Sequence, residues 1–73
     1  MPKAEFTNQV RRLRFGHGEM TQQELAHRCG CTRQTIVAIE KAKYAPSLEL
    51  AFRITRVFGL SLEDVFTYEE DGA

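Results

Sequence analysis

The sequence predicts an all-α fold, a compact bundle of five helices, and three observations predict it. Apolar residues recur at spacings of three and four, as in Leu48, Ala51, Ile54, Val57 and Phe58, the period of one helix face. Hydroxyl residues open these segments (Thr21, Thr32, Ser47, Ser61) and glycines close them (Gly16, Gly18, Gly30, Gly59), which is helix-boundary chemistry. No stretch alternates at period two for long enough to read as a strand.

The first helix is expected over roughly 4–15, with Phe6, Val10 and Leu13 on its inner face and Gly16 and Gly18 ending it. The second starts at Thr21. Thr21 and Glu24 form a T-x-x-E capping box, in which each side chain satisfies the other's free backbone N–H; Leu25, Ala26 and Cys29 face inward and Gly30 stops the helix. Thr32 caps a third helix that turns Ile36 and Ile39 inward and ends near Lys41. The stretch KAKYAP is a connector, since Pro46 disfavours helix at Ala45. Ser47 caps the fourth helix and Gly59 ends it; Ser61 and Asp64 resemble a second capping box, opening a short fifth helix through Phe66. The remaining polar TYEEDGA reads as a frayed acidic tail over about 67–73.

Seventy-three residues make one domain, 1–73. A domain this small buries only about 60% of the surface its unfolded chain exposes. Its apolar residues are therefore needed for the core, with little room for a substrate cleft. No apolar run approaches the ~20 residues that cross a bilayer, and MPKAEFTNQVRRLR has no apolar stretch suited to a secretory signal. The expectation is a cytoplasmic chain without a membrane partner.

The formal net charge is zero, but it is unevenly spread. Residues 1–43 carry eight Lys/Arg and four Glu, a net +4; residues 44–73 carry Arg53 and Arg56 against six acids, a net −4. A polyanion responds to the local field rather than the sum. One half of the chain can face phosphate while the other faces solvent or a second subunit.

The informative segment is QQELAHRCGCTRQTIVAIEK, residues 22–41. Two short helices joined by about three residues must cross closely. That needs a small residue at the crossing (Ala26), a turn residue tolerant of positive φ (Gly30), and apolar residues filling the angle (Leu25, Cys29, Cys31, Ile36, Ile39). Seven positions agree, which makes this a helix-turn-helix reading rather than a dipeptide match. Together with MTQQELA, TRQTIVAIE and KYAPSLELAF, the segment resembles the Cro-like, or XRE-type, helix-turn-helix regulators. The resemblance covers about residues 6–66. It implies a five-helix lambda-repressor-like DNA-binding domain, double-stranded DNA as ligand, and a role as a transcriptional regulator; a repressor is the expected sense, with an activator left open by the sequence.

Such a unit places its second helix, residues 33–41, in the major groove, while the first crosses the backbone. With Ile36 and Ile39 inward, Arg33, Gln34, Val37 and, to one side, Ala38 face out. Arg33 suits guanine O6 and N7, and Gln34 suits adenine N6 and N7, each bidentate contact giving about 1–3 kcal/mol of discrimination. Val37 and Ala38 offer only apolar contact with thymine methyls; relatives can hold a polar base reader at the place of Ala38, which implies a narrower readout here. Gln22 and Gln23 open the second helix, where free N–H groups favour phosphate, and the resemblance implies that Gln22 holds one. Thr32 and Thr35 offer hydroxyls for the same purpose, and Lys41, Lys43 and Tyr44 follow the recognition helix towards the next backbone stretch. The resemblance also implies an ion pair between Arg14 and Glu40, which assigns Glu40 to structure. Arg11 and Arg12 read as a solvated face. A homodimer is expected because two half-sites multiply the few contacts one module makes; the candidate surface is the end of the fourth helix, the fifth helix, Val65, Phe66 and Tyr68.

Other readings compete on specific residues. Cys29 and Cys31 form C-x-C, which suggests a metal or thiol sensor, but the apolar pattern turns both inward and a zinc site would need about two more ligands, with only His17 and His27 available. No cofactor, metal or small-molecule substrate is called for. No Gly-rich phosphate loop, catalytic triad or paired carboxylates point to an enzyme. A protein-interaction module of the antitoxin kind would want an apolar extension outside the bundle, and the tail is acidic. Two places depart from the family pattern. The segment 13–21 is slightly long, and Ala42 stands where relatives often have glycine, at a cost of about 1 kcal/mol if positive φ is required there.

Overall fold

The computed structural model describes residues 4–70. Its elements run β1 (Ala4–Asn8), α1 (Val10–Gly16), α2 (Gln22–Cys29), α3 (Arg33–Glu40), α4 (Leu48–Phe58), α5 (Leu62–Val65) and β2 (Phe66–Glu70). The five expected helices are present, and α2 to α4 keep the expected caps. Thr21, Thr32 and Ser47 each accept a hydrogen bond from the backbone N–H three residues on. The reciprocal box forms at Ser61 and Asp64. At Thr21 only half of it forms, because the Glu24 carboxylate pairs with Arg28 at 2.8 Å instead.

The all-helical expectation needs one correction. Residues 4–8, read as the start of the first helix, form β1; Phe66, read as the end of the fifth helix, and residues 67–70, read as frayed tail, form β2. The two strands pair antiparallel, Phe6 opposite Tyr68, Thr7 opposite Thr67 and Asn8 opposite Phe66. Asn8 explains the switch. Its Oδ1 accepts from Val10 N at 3.1 Å and its Nδ2 donates to Ile39 O at 2.8 Å. The side chain thus satisfies the opening of α1 at Val10, and the chain before it is left extended. Phe6 and Phe66 then stack across the ribbon at 5.5 Å between centroids, a diagonal pair of the kind that stabilises strands. Residues 71–73 of the expected tail lie outside the described residues.

The core gathers one face from every helix. Val10, Leu25, Ala26, Ile36, Ile39, Ile54 and Val65 are fully buried, with Met20, Cys29, Ala51, Phe58 and Phe66 nearly so. Phe6, Leu13, Cys31, Leu50, Val57 and Leu62 pack around its edge. Val65 and Phe66, expected on a dimer surface, are instead buried in the core of their own chain, whereas Tyr68 is exposed. Among the described residues no helix is long and apolar enough to cross a membrane.

Three helices end in the same way. After α2 and α4 the first residue past the helix, and after α3 the second, sits at positive φ: Gly30 at +72, Gly59 at +67 and Ala42 at +59. Each donates back to a carbonyl three residues earlier, and the next residue donates five residues back, as with Ala42 N to Ile39 O (2.9 Å) and Lys43 N to Ala38 O (3.0 Å). This is the Schellman arrangement, in which a left-handed residue lets the chain satisfy the last carbonyls.

Candidate nucleic-acid interface

The turn between α2 and α3 is Gly30, Cys31 and Thr32. Gly30 is favoured by its φ of +72, and a Cβ there would also stand 3.0 Å from Arg53 Nη1, the tip of a mobile side chain that donates to Cys29 O at 3.3 Å and would have to shift slightly. Thr32 restarts the helix at once, its Oγ1 accepting from Thr35 N at 3.2 Å and lying 3.0 Å from Thr35 Oγ1. The completely buried Ala26 sits on the inner face of α2, beside Leu25 and Cys29. With Ile36 and Ile39 locked inward, Arg33 and Gln34 are exposed on the opening turn of α3 and Val37 and Ala38 are half-exposed one turn on.

A concave surface lies beside α3. It is lined by Gln22 and Gln23 from α2 and by Arg33, Val37 and Lys41 along the outer side of α3. Five of the expected contact residues are therefore together. Gln34, Ala38, Thr32 and Thr35 lie outside that concavity on the same helix and its cap, and the exposed Lys43 and Tyr44 follow in the connector. Thr32 and Thr35 hydroxyls already serve the cap and each other, so only the hydrogen not used between them is left to offer a ligand.

Beneath the concavity, one buried ion pair ties three helices together. Arg14 of α1 donates from Nε (2.6 Å) and Nη2 (3.0 Å) to the Glu40 carboxylate of α3, with side chains only 7% and 5% exposed. The remaining Arg14 Nη1 donates to Met20 O at 2.7 Å. Gln22 of α2 donates to the same carboxylate at 3.2 Å. Bidentate, charge-assisted geometry of this kind fixes orientation. Glu40 is neutralised from within, as expected, and it also sets the amide of Gln22, leaving that side chain's second N–H for a ligand.

Cys29 is buried and Cys31 half-buried, both as free thiols. Burial, reinforced by the neighbouring Cys31 and opposed by Arg53, pushes Cys29 up to about 11; burial also raises Cys31. Neither is held as a thiolate. His27 is exposed, and the His17 ring lies edge-on to Phe58 at 5.0 Å with Nδ1 3.0 Å from Leu13 O. Among the described residues no group of three or more His, Cys, Asp or Glu side chains could hold a metal ion.

Two contributors escaped the sequence reading. Asn8 ties α1 to the last turn of α3 through Ile39 O; an Asn two residues before an apolar-periodic segment was a cap signal, hidden by extending the helix through it. Arg11, grouped with Arg12 as a solvated face, is exposed but lines the concavity together with Phe15.

A pair of short helices crossing over a three-residue turn, the second helix displaying polar side chains, defines a helix-turn-helix protein. A family model described as helix-turn-helix matches residues 10–65, and the chain belongs to that family. It is 52% identical over 64 residues to an uncharacterized HTH-type transcriptional regulator of Methanocaldococcus jannaschii, covering 88% of this chain and 96% of that one. It is 48% identical over 60 residues to the uncharacterized HTH-type transcriptional regulator YgzD of Bacillus subtilis, covering 82% of this chain and 86% of that one. A crystal structure of a candidate DNA-binding protein from Bacteroides fragilis shares the fold with a TM-score of 0.72 at 18% identity, covering 85% of this chain and 98% of that one.

Proposed function

We propose that this chain is a sequence-specific transcriptional regulator that binds double-stranded DNA, reads the major groove with α3 and represses as a cytoplasmic homodimer. One observation carries the reading: Arg33 and Gln34 are exposed on the first turn of a helix whose Ile36 and Ile39 are wholly buried, beside the opening turn of α2 with Gln22 and Gln23. That is the juxtaposition a groove-reading helix and a backbone-crossing helix require. The relatives named as transcriptional regulators support the same class, and with it a regulator rather than an enzyme.

In this reading Arg33 and Gln34 read base edges, Val37 and Ala38 touch thymine methyls, and Gln22, Gln23, Thr32, Thr35, Lys41, Lys43 and Tyr44 hold backbone phosphates. The dimer is supported by apolar surface away from that face. Leu60 is exposed, Tyr68 is 64% exposed, and Phe6 and Leu62 line a shallow pocket beside it. The test is selection of bound duplexes from a random-sequence pool at low salt, with mass measured by light scattering. Enrichment of a two-fold-related site bound by two chains is expected. A pool without enrichment contradicts DNA reading, and a single 8.4 kDa species alone and on DNA contradicts the dimer.

A further inference from the structure

We infer that Arg11, steadied on the face of Phe15, contacts a backbone phosphate and so extends the DNA interface from α2 and α3 onto α1; the inference rests on the DNA-binding reading above. Arg11 and Phe15 are one helical turn apart, and the Arg11 guanidinium lies 5.7 Å from the centre of the Phe15 ring. The Arg14 guanidinium lies 5.0 Å from the same ring, but its donors are spent inward on Glu40 and Met20 O. Arg11 differs. It is exposed and, among the described residues, has no carboxylate partner. Phe15 remains 52% exposed, so the core does not account for its place on this face. Arg11 lines the same concavity as Gln22, Gln23, Arg33 and Lys41. Of the two acids on that wall, Glu40 is neutralised by Arg14, so Glu19 alone opposes Arg11, Arg33 and Lys41, and the surface is net positive.

A guanidinium laid over an aromatic ring keeps its N–H edge free and loses less freedom when it binds. Arg11 is thus pre-positioned beside the opening turn of α2, where a DNA strand crossing that turn would pass. A phosphate contact adds affinity without sequence preference. Phe15 is the positioning residue.

The test compares affinities for one duplex recovered from the random pool, and for a scrambled duplex, at 50 and 200 mM salt. Each phosphate contact contributes a slope of about −0.9 in log affinity against log salt. Removing one should therefore shrink the loss between those salts by about 3.5-fold. Arg11→Ala should do so on both duplexes, Arg11→Lys should largely restore it, and the exposed neighbour variant Arg12→Ala should match the wild type. Phe15→Ala should weaken binding in the wild-type background but not in the Arg11→Ala background. Equal salt dependence for Arg11→Ala and Arg12→Ala, or an undiminished Phe15→Ala loss in the Arg11→Ala background, overturns the inference while the DNA reading stands. A wild-type chain that binds neither duplex at 50 mM salt overturns both.

Discussion

Replacing Ala42 by glycine should stabilise the domain, although glycine in a folded chain ordinarily does the opposite. Ala42 holds φ +59 at the exposed exit of α3, where the backbone N–H groups of Ala42 and Lys43 reach back to Ile39 O and Ala38 O. The left-handed conformation costs an L-residue about 1–2 kcal/mol, and glycine removes that cost. Against it stands the greater freedom of glycine in the unfolded chain, about 0.4–1 kcal/mol. The methyl group is exposed, so its loss leaves no cavity. The balance is a gain of about 0.5–1 kcal/mol, which for a domain of this size raises Tm by roughly 2–8 °C. The same chemical change at Ala38, inside α3, removes a good helix former and should cost about 1 kcal/mol. Thermal denaturation followed by circular dichroism reads both. If Ala42→Gly lowers Tm, or moves it in the same direction as Ala38→Gly, the left-handed residue is not where the account puts it.

Other perturbations test the remaining parts of the frame. Glu40→Ala leaves the Arg14 guanidinium buried without its partner and should cost about 3–5 kcal/mol in denaturant unfolding; a loss below about 1 kcal/mol would mean that the pair is not holding α1 to α3. Cys29 ionises near 11 in the folded chain against its ordinary 9.0, so the neutral thiol contributes stability that is complete below pH 9 and lost as pH rises towards 11. The stability difference between the wild type and Cys29→Ala should accordingly shrink over that window, and a difference that stays constant across it would contradict the burial of the thiol. Phe6→Ala removes the ring stacked on Phe66 and should release amide-exchange protection over residues 66–70 while α2 and α3 stay protected; unchanged protection in β2 would show that the ribbon does not depend on that stack.

The central helices were legible because their signals are local and redundant. Thr21, Thr32 and Ser47 cap, Gly30 and Gly59 stop, and the apolar face between them repeats at the helical period. The ribbon was not legible for the opposite reason. Ala4–Asn8 and Phe66–Glu70 lie at opposite ends of the chain, and each five-residue strand acquires its hydrogen bonds only from the other. Alternation was present in Phe66-Thr67-Tyr68, but three residues cannot outweigh the spacing of Phe6, Val10 and Leu13, which mimics a helix face. The candidate interface divides in the same way. Arg33 and Gln34 follow from helical period once Ile36 and Ile39 are taken as core, and Ala42 could be singled out as a residue in a glycine's place. The bond from Asn8 to Ile39 O, the amide of Gln22 set by Glu40, and Arg11 laid on Phe15 depend on how helices distant in sequence meet. No spacing rule contains that information.

DNA reading by α3 depends most directly on what Arg33 touches. Pools of bound duplexes selected by the wild type and by Arg33→Ala, at the same salt, should differ at one base-pair position in each half-site, where the preference for guanine is lost while neighbouring positions keep theirs. Identical enriched sites from both proteins, at equal affinity, would show that the first turn of α3 does not read DNA.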